Sequence, residues 1–231
     1  MGFPNYGAQR VAESFSKHKK PPNPTIISVS GLSVEEIVEC YSQIEPIADG
    51  IEINISTPNT AGVKAFQQPQ VLTRLLGAIE NVRNQAKPLW LKIPPYFNNS
   101  ERENVLALVE VAMRNSIDGL TATNAKPVEE PRSSTGRGGL SGSLVYEDMI
   151  RIVADIYGYT GGKVPINACG GISSGITAWR AFEMGASSLQ LYTALIYEGP
   201  GLVSNINREL LRLIKSAGLR SLSDITGTGL R

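Results

Sequence analysis

Ile51-Glu52-Ile53-Asn54-Ile55-Ser56-Thr57-Pro58-Asn59-Thr60 is the stretch around which the chain is organised. Ile51, Ile53 and Ile55 alternate with Glu52, Asn54 and Ser56, the period of a pleated strand with two unlike faces. Pro58 has no N–H to give a ladder and closes the strand. From Asn54 to Thr60 the strand end carries two amides and three hydroxyls. Such groups are costly to bury unpaired, so they face either a ligand or a tight hydrogen-bond network. An Asx/Ser turn that merely leaves the strand is the competing reading.

The chain has 231 residues, is 42% hydrophobic and carries a formal net charge of +1. That is the size and balance of one soluble α/β domain with a sizeable core, spanning 1–231. Near-neutrality gives no sign of nucleic-acid binding. Lys17-His18-Lys19-Lys20 is the one basic cluster and reads as a solvated helix end. No apolar run is long enough for a transmembrane segment, and the first residues lack the basic and apolar regions of a signal peptide. The expected location is the cytoplasm or the periphery of the membrane's inner face. Cys40 and Cys169 stand far apart and outside any metal-type cluster, as free thiols of a reducing compartment do. His18 is the single histidine, so neither histidine acid–base chemistry nor a histidine metal site is expected.

Six strand-plus-helix units follow in order. A helix over 6–19 ends before Pro21, Pro22 and Pro24. Residues 25–30 form a strand, and Ser33 with Glu36 forms a capping box for a helix to Ile44. After strand 51–56 comes a helix over 69–86, with Leu72, Leu75, Leu76 and Ile79 on one face. Leu89–Ile93 is an apolar strand interrupted by Lys92. Ser100 and Glu103 box the next helix, and Gly119–Asn124 is a strand ending again in an amide. Residues 125–143 read as a long polar loop with four glycines, a length that is usually functional or disordered. A helix over about 144–156, strand 164–168, a helix over 176–184, strand 188–192 and a helix over about 203–217, capped by Gly218, complete the pattern.

Alternating strands and helices predict parallel βαβ units. Six at similar spacing suggest a (βα)8 TIM-type barrel, here incomplete. Asn54 and Thr57, Lys92, Asn124, Gly170 and Gly171, Tyr192 and Thr193 gather at the carboxyl ends of the strands, where such barrels keep their active sites. The turns after the last two strands match the place where backbone N–H groups meet a phosphate.

With these residues in view, the chain resembles the dihydroorotate dehydrogenase family of FMN-containing barrels of pyrimidine synthesis. The resemblance runs from Met1 to about Asp224. It is carried by Met1-Gly2-Phe3-Pro4-Asn5, by Asn54 to Thr60, by Lys92-Ile93, by Ala122-Thr123-Asn124 and by Gly138-Gly139-Leu140-Ser141-Gly142. Gly170 to Gly175 and Gln190 to Leu195, through Gly199-Pro200, complete it. The last three motifs look most like the membrane-associated, quinone-using class 2, whereas Ser28 to Gly31 looks more like class 1. The resemblance implies oxidation of dihydroorotate to orotate: a side-chain base takes a proton from C5 while a hydride leaves C6 for the flavin. Thr57 then matches the base. Asn5, Asn54, Asn59 and Asn124 match the substrate-holding amides, with Asn54 on the flavin as well. Lys92, Thr123, Gly142, Gly171, Tyr192 and Thr193 match the flavin contacts. Quinone is the implied electron acceptor.

Three residues depart from the family pattern. Thr57 stands where class 2 has serine and class 1 cysteine, and its β-methyl stiffens χ1. Ala125 stands where class 2 has threonine, and Tyr96 where aspartate is usual. The family's first two strands, with a further lysine, are not matched, so the chain corresponds to strands 3–8 of the barrel. The alternatives are a related FMN barrel with a different small cyclic substrate and a truncated, inactive barrel. Open sheet edges make a homodimer a candidate assembly.

Overall fold

The computed structural model describes residues 5–18, 21–57, 61–84 and 86–230. Helix α1 (Ala8–Lys17) leads to β1 (Ile26–Val29) and α2 (Val34–Ile44). Strand β2 (Gly50–Asn54) is followed by the single turn α3 (Ala61–Lys64) and by α4 (Pro69–Glu80). Next come β3 (Leu89–Lys92) and α5 (Asn99–Arg114). Strand β4 (Gly119–Ala122) is followed by the short strands β5 (Lys126–Glu129) and β6 (Arg137–Leu140) and then α6 (Tyr146–Thr160). The chain ends with β7 (Ile166–Cys169), α7 (Gly175–Glu183), β8 (Ser188–Gln190), α8 (Thr193–Glu198) and α9 (Leu202–Ser216).

Six strands form one parallel sheet in the order β1-β2-β3-β4-β7-β8. Every strand is hydrogen-bonded to the next one of the sheet in sequence, the order in which a βα barrel winds. This bears out the incomplete TIM-type barrel with six βα units. The period-2 pattern sorts the two faces. Ile51, Ile53, Leu89, Leu91, Leu120, Ile166 and Ala168 are fully or almost fully buried in a core shared with helix residues such as Ile37, Leu75, Leu108 and Ile152. Their neighbours Glu52, Asn54, Trp90, Lys92, Thr121, Asn167, Cys169, Ser188 and Gln190 turn to the other face. That face is mostly polar; Trp90 is an exception, its indole against Gly119, where a Cβ would overlap the ring at 2.3 Å from Cζ3.

Several local expectations are corrected. Residues 125–143 are not a structureless loop, because β5 and β6 pair antiparallel within it, with Lys126 opposite Leu140 and Glu129 opposite Arg137. Helix α5 is capped not by Ser100 but by Asn98, whose extended backbone lets its side chain accept from Glu101 N at 2.9 Å. Glu101 in turn accepts from Phe97 N at 2.7 Å. The same one-residue offset occurs at α2. Ser33 accepts from Glu36 N, but Glu36 reaches back to Leu32 N at 2.6 Å rather than to its cap. Helix α4 stops at Glu80 rather than 86. The chain then turns so that Arg83 reaches inward, donating to Ser116 O at 2.7 Å, to Lys87 O at 3.2 Å and to Asp118. Cys40 and Cys169 are free thiols.

Candidate active site

The carboxyl ends of the strands surround a cavity of about 970 Å³. That lies at the upper end of the range for small-molecule and cofactor pockets. Asn54, Lys92, Asn124, Gly142, Gly171, Tyr192 and Thr193, all singled out in the sequence, line it. They come from β2, β3, the loop after β4, the turn before α6, the turn after β7 and the start of α8. Thr57 and Thr123 are buried just behind, 7% and 3% exposed, and do not line it. Asn5 is exposed, accepts from Gly7 N at 2.8 Å and is not part of the lining. Asn59 lies outside the described residues.

Two backbone donors fix the orientation of the amides. Ser56 N donates to Asn54 Oδ1 at 3.0 Å, and Ala125 N donates to Asn124 Oδ1 at 2.7 Å. An N–H requires an acceptor, so each Oδ1 is the oxygen and each Nδ2 the nitrogen. Ser56 Oγ also donates to Asn54 Oδ1 at 2.6 Å and accepts from Asn124 Nδ2 at 2.7 Å. Asn54 Oδ1 thereby takes two hydrogen bonds and Asn124 Oδ1 one. What remains for the cavity is N–H, which suits an acceptor-rich ligand.

Lys92 is the one basic side chain in the described lining. It donates to Gln190 Oε1 at 2.8 Å and lies 3.6 Å from Cys169 Sγ. Burial pushes the Cys169 thiol above its usual range, and the Lys92 ammonium opposes this only in part. Beneath Lys92, Glu52 is 3% exposed. Its two oxygens accept from Ser28 Oγ at 2.9 Å and Thr121 Oγ1 at 2.6 Å. Asn167 extends this row, donating to Thr121 Oγ1 at 3.4 Å and accepting from Ser188 Oγ at 3.2 Å. Strands β1 and β4 thus supply the hydroxyls that satisfy the buried carboxylate, and β7 and β8 extend the row beyond Thr121.

On the far side, the turns around Gly142 and Gly171 abut. A Cβ on Gly171 would lie 2.7 Å from Tyr146 Cβ and 2.9 Å from Gly142 O, and its φ of +71° lies in the left-handed region. Only glycine meets both demands. Thr193 Oγ1 donates to Ser141 Oγ at 3.0 Å, tying the start of α8 to the same turn. Tyr192 and Tyr197 form the rim, 75% and 82% exposed. Among the described residues there is no cluster of three metal-ligating side chains, and no helix is long and apolar enough to cross a membrane.

Sequence reading passed over Ser56, Glu52, Cys169 and Gln190. Glu52 could have been found, since it shares the strand parity of Asn54. Ser56 could not, because its partner lies 68 residues away.

The parallel sheet and the polar cavity at its carboxyl edge define a βα-barrel protein with its ligand site at the C-terminal face. The family model described as dihydroorotate dehydrogenase matches residues 1–214. The chain belongs to the dihydroorotate dehydrogenase family. It is 35% identical over 240 residues to a Myxococcus xanthus protein named dihydroorotate dehydrogenase (quinone), and 32% identical over 240 residues to one of the same name from Rhodospirillum rubrum. Each match covers 98% of this chain and 65% of the relative, so the chain spans about 65% of the length of these curated relatives. Ligand-free dihydroorotate dehydrogenase of Eimeria tenella superposes with a TM-score of 0.75 and 29% identity, covering 86% of this chain and 60% of that one. Its complex with ferulenol gives a TM-score of 0.79 and 26% identity, covering 97% and 67%.

Proposed function

We propose that this chain carries the flavin- and substrate-binding portion of an oxidoreductase that converts dihydroorotate to orotate in pyrimidine biosynthesis, with quinone as electron acceptor. The observation that carries the reading is the convergence on one cavity of two donor-presenting amides, one ammonium and two abutting glycine turns. FMN fits these residues. The Gly142 and Gly171 turns bring bare backbone to the cavity beside Thr193, as a phosphate requires. Lys92 supplies the cation for the ring end, Asn54 and Thr123 flank it, and Tyr192 closes the rim. Bound FMN supplies the two-electron acceptor for the hydride that leaves C6 of the substrate.

The chain's own residues do the rest. Asn54 Nδ2 and Asn124 Nδ2 donate to the substrate's carboxylate and ring oxygens, with Asn59 as a further amide of the same set. Thr57, buried behind the cavity lining, would take the C5 proton at its hydroxyl oxygen as its own hydroxyl proton passes to water, so one proton and one hydride leave the substrate. Lys92, held by Gln190, keeps positive charge where electron density accumulates. A quinone acceptor would place the protein against the inner face of a membrane, and a homodimer is the proposed assembly.

A second reading is a related FMN barrel with a different small cyclic substrate. It is favoured by Ala125, which lines the cavity with a methyl group instead of a hydrogen-bonding side chain. Turnover decides between them. The full protein should form orotate from dihydroorotate and reduce a water-soluble quinone in equal amounts. No orotate, together with turnover of another cyclic substrate, would establish the second reading.

A further inference from the structure

We infer that Ser56 is a positioning residue that couples the two amides of the substrate site into one unit; this rests on the substrate-binding reading above. Ser56 is 1% exposed and does not reach the cavity. Its hydroxyl has one proton, and the 2.6 Å bond to Asn54 Oδ1 uses it. Its oxygen then accepts from Asn124 Nδ2 at 2.7 Å. The hydroxyl is thus the single atom group that touches both amides, one on β2 and one on the loop after β4. These strands are not neighbours in the sheet, since β3 lies between them.

The backbone alone orients each amide, through Ser56 N and Ala125 N. It does not fix the spacing between them. The hydroxyl bridge does: it holds the two free Nδ2 donors at one separation across the width of β3, matched to two acceptors on a single small ligand. Without it, Asn124 Nδ2 keeps a second unpaired N–H, the Ala125 N–H is the bond left on its amide, and the spacing of the pair is no longer fixed. Preorganisation of this kind raises affinity by removing ordering cost, not by adding a contact. Its loss should therefore appear only while both amides are present.

The test is a double-mutant cycle read by calorimetric orotate binding to the full protein loaded with FMN. Ser56→Ala should weaken orotate binding about tenfold, the scale of one hydrogen bond whose loss leaves a partner unpaired. In an Asn124→Ala background the same change should weaken it by less than about twofold, since contacts that share a partner are not additive. Ser56→Thr, which keeps the hydroxyl, should bind as the unmodified protein does. A role confined to fold stability would lower the melting temperature and leave the affinities additive. Equal effects of Ser56→Ala in the two backgrounds, or none in either, overturn the inference and leave the substrate reading intact. If Ser56→Ala does not fold, Ser56→Cys, with a weaker hydrogen-bonding group of similar size, is put through the same cycle with the same two outcomes. Failure of the unmodified protein to bind orotate overturns the reading and the inference together.

Discussion

Thr57 lies three residues beyond the amide-bearing end of β2 and is buried, so the proposed proton transfer would be shielded from bulk water. Replacing Thr57 with alanine is expected to leave FMN bound and to slow its reduction by dihydroorotate at least about a hundredfold, the usual scale for a proton-transfer group. Stopped-flow flavin absorbance measures this, and an unchanged rate removes Thr57 from the chemistry. Lys92→Gln should lower the flavin reduction potential, because the cation favours the electron-rich ring. A potential equal to that of the unmodified protein would place Lys92 in a structural role only. Asn54, Lys92 and Asn124 were legible in the sequence because a polar side chain ending an apolar strand has few structural uses. Ser56 was hidden by the distance to its partner, whereas Glu52, on the same strand face as Asn54, was within reach of the strand period.

At the scale of elements, the strand-end turns tolerate little change. Gly171→Ala puts a methyl against Tyr146 and the Gly142 carbonyl at a positive φ. A destabilisation of about 1–3 kcal/mol is expected, since backbone cannot step aside cheaply. FMN should be lost with it, and thermal unfolding with flavin content checks both. Helix α5 is tied to α6 through Asp155, which accepts from Arg102 Nε and Nη2 at 2.6 Å each and from Tyr96. The bond from Arg102 holds the Asp155 carboxyl below the usual range. A carboxyl with a lowered native pKa stabilises the fold above the ordinary carboxylate range and loses that contribution as pH falls through the lowered value. The pair is solvated on the arginine side, so Arg102→Met should lower stability only slightly near pH 7. The difference from the unmodified protein should shrink toward about pH 3, below the ordinary carboxylate range. A gap that stays constant in urea unfolding at the two pH values would contradict the assignment. Strands were readable because a period of two separates the sheet faces. The Ser33 cap of α2 was readable, but that of α5 was not, because Asn98 and Ser100 are both capable caps and only the backbone decides between them. The β5–β6 hairpin escaped because its glycine-rich strands carry no apolar alternation.

Across the whole molecule, one apolar core joins six βα units on one face of the sheet, while the other face is polar and opens to the cavity. The winding order of the strands follows from the alternation of strands and helices, and that much was legible. What the sequence did not reveal is the polar row from Ser28 through Glu52, Thr121 and Asn167 to Ser188, which exists only once five strands are in register. The same holds for Arg83, whose buried guanidinium ties the end of α4 to the start of β4. The most direct test of the account is the visible spectrum of the purified full protein before and after anaerobic dihydroorotate. The account predicts an oxidised-flavin spectrum that bleaches on addition of the substrate. A colourless protein, or a yellow one that does not bleach, would contradict it.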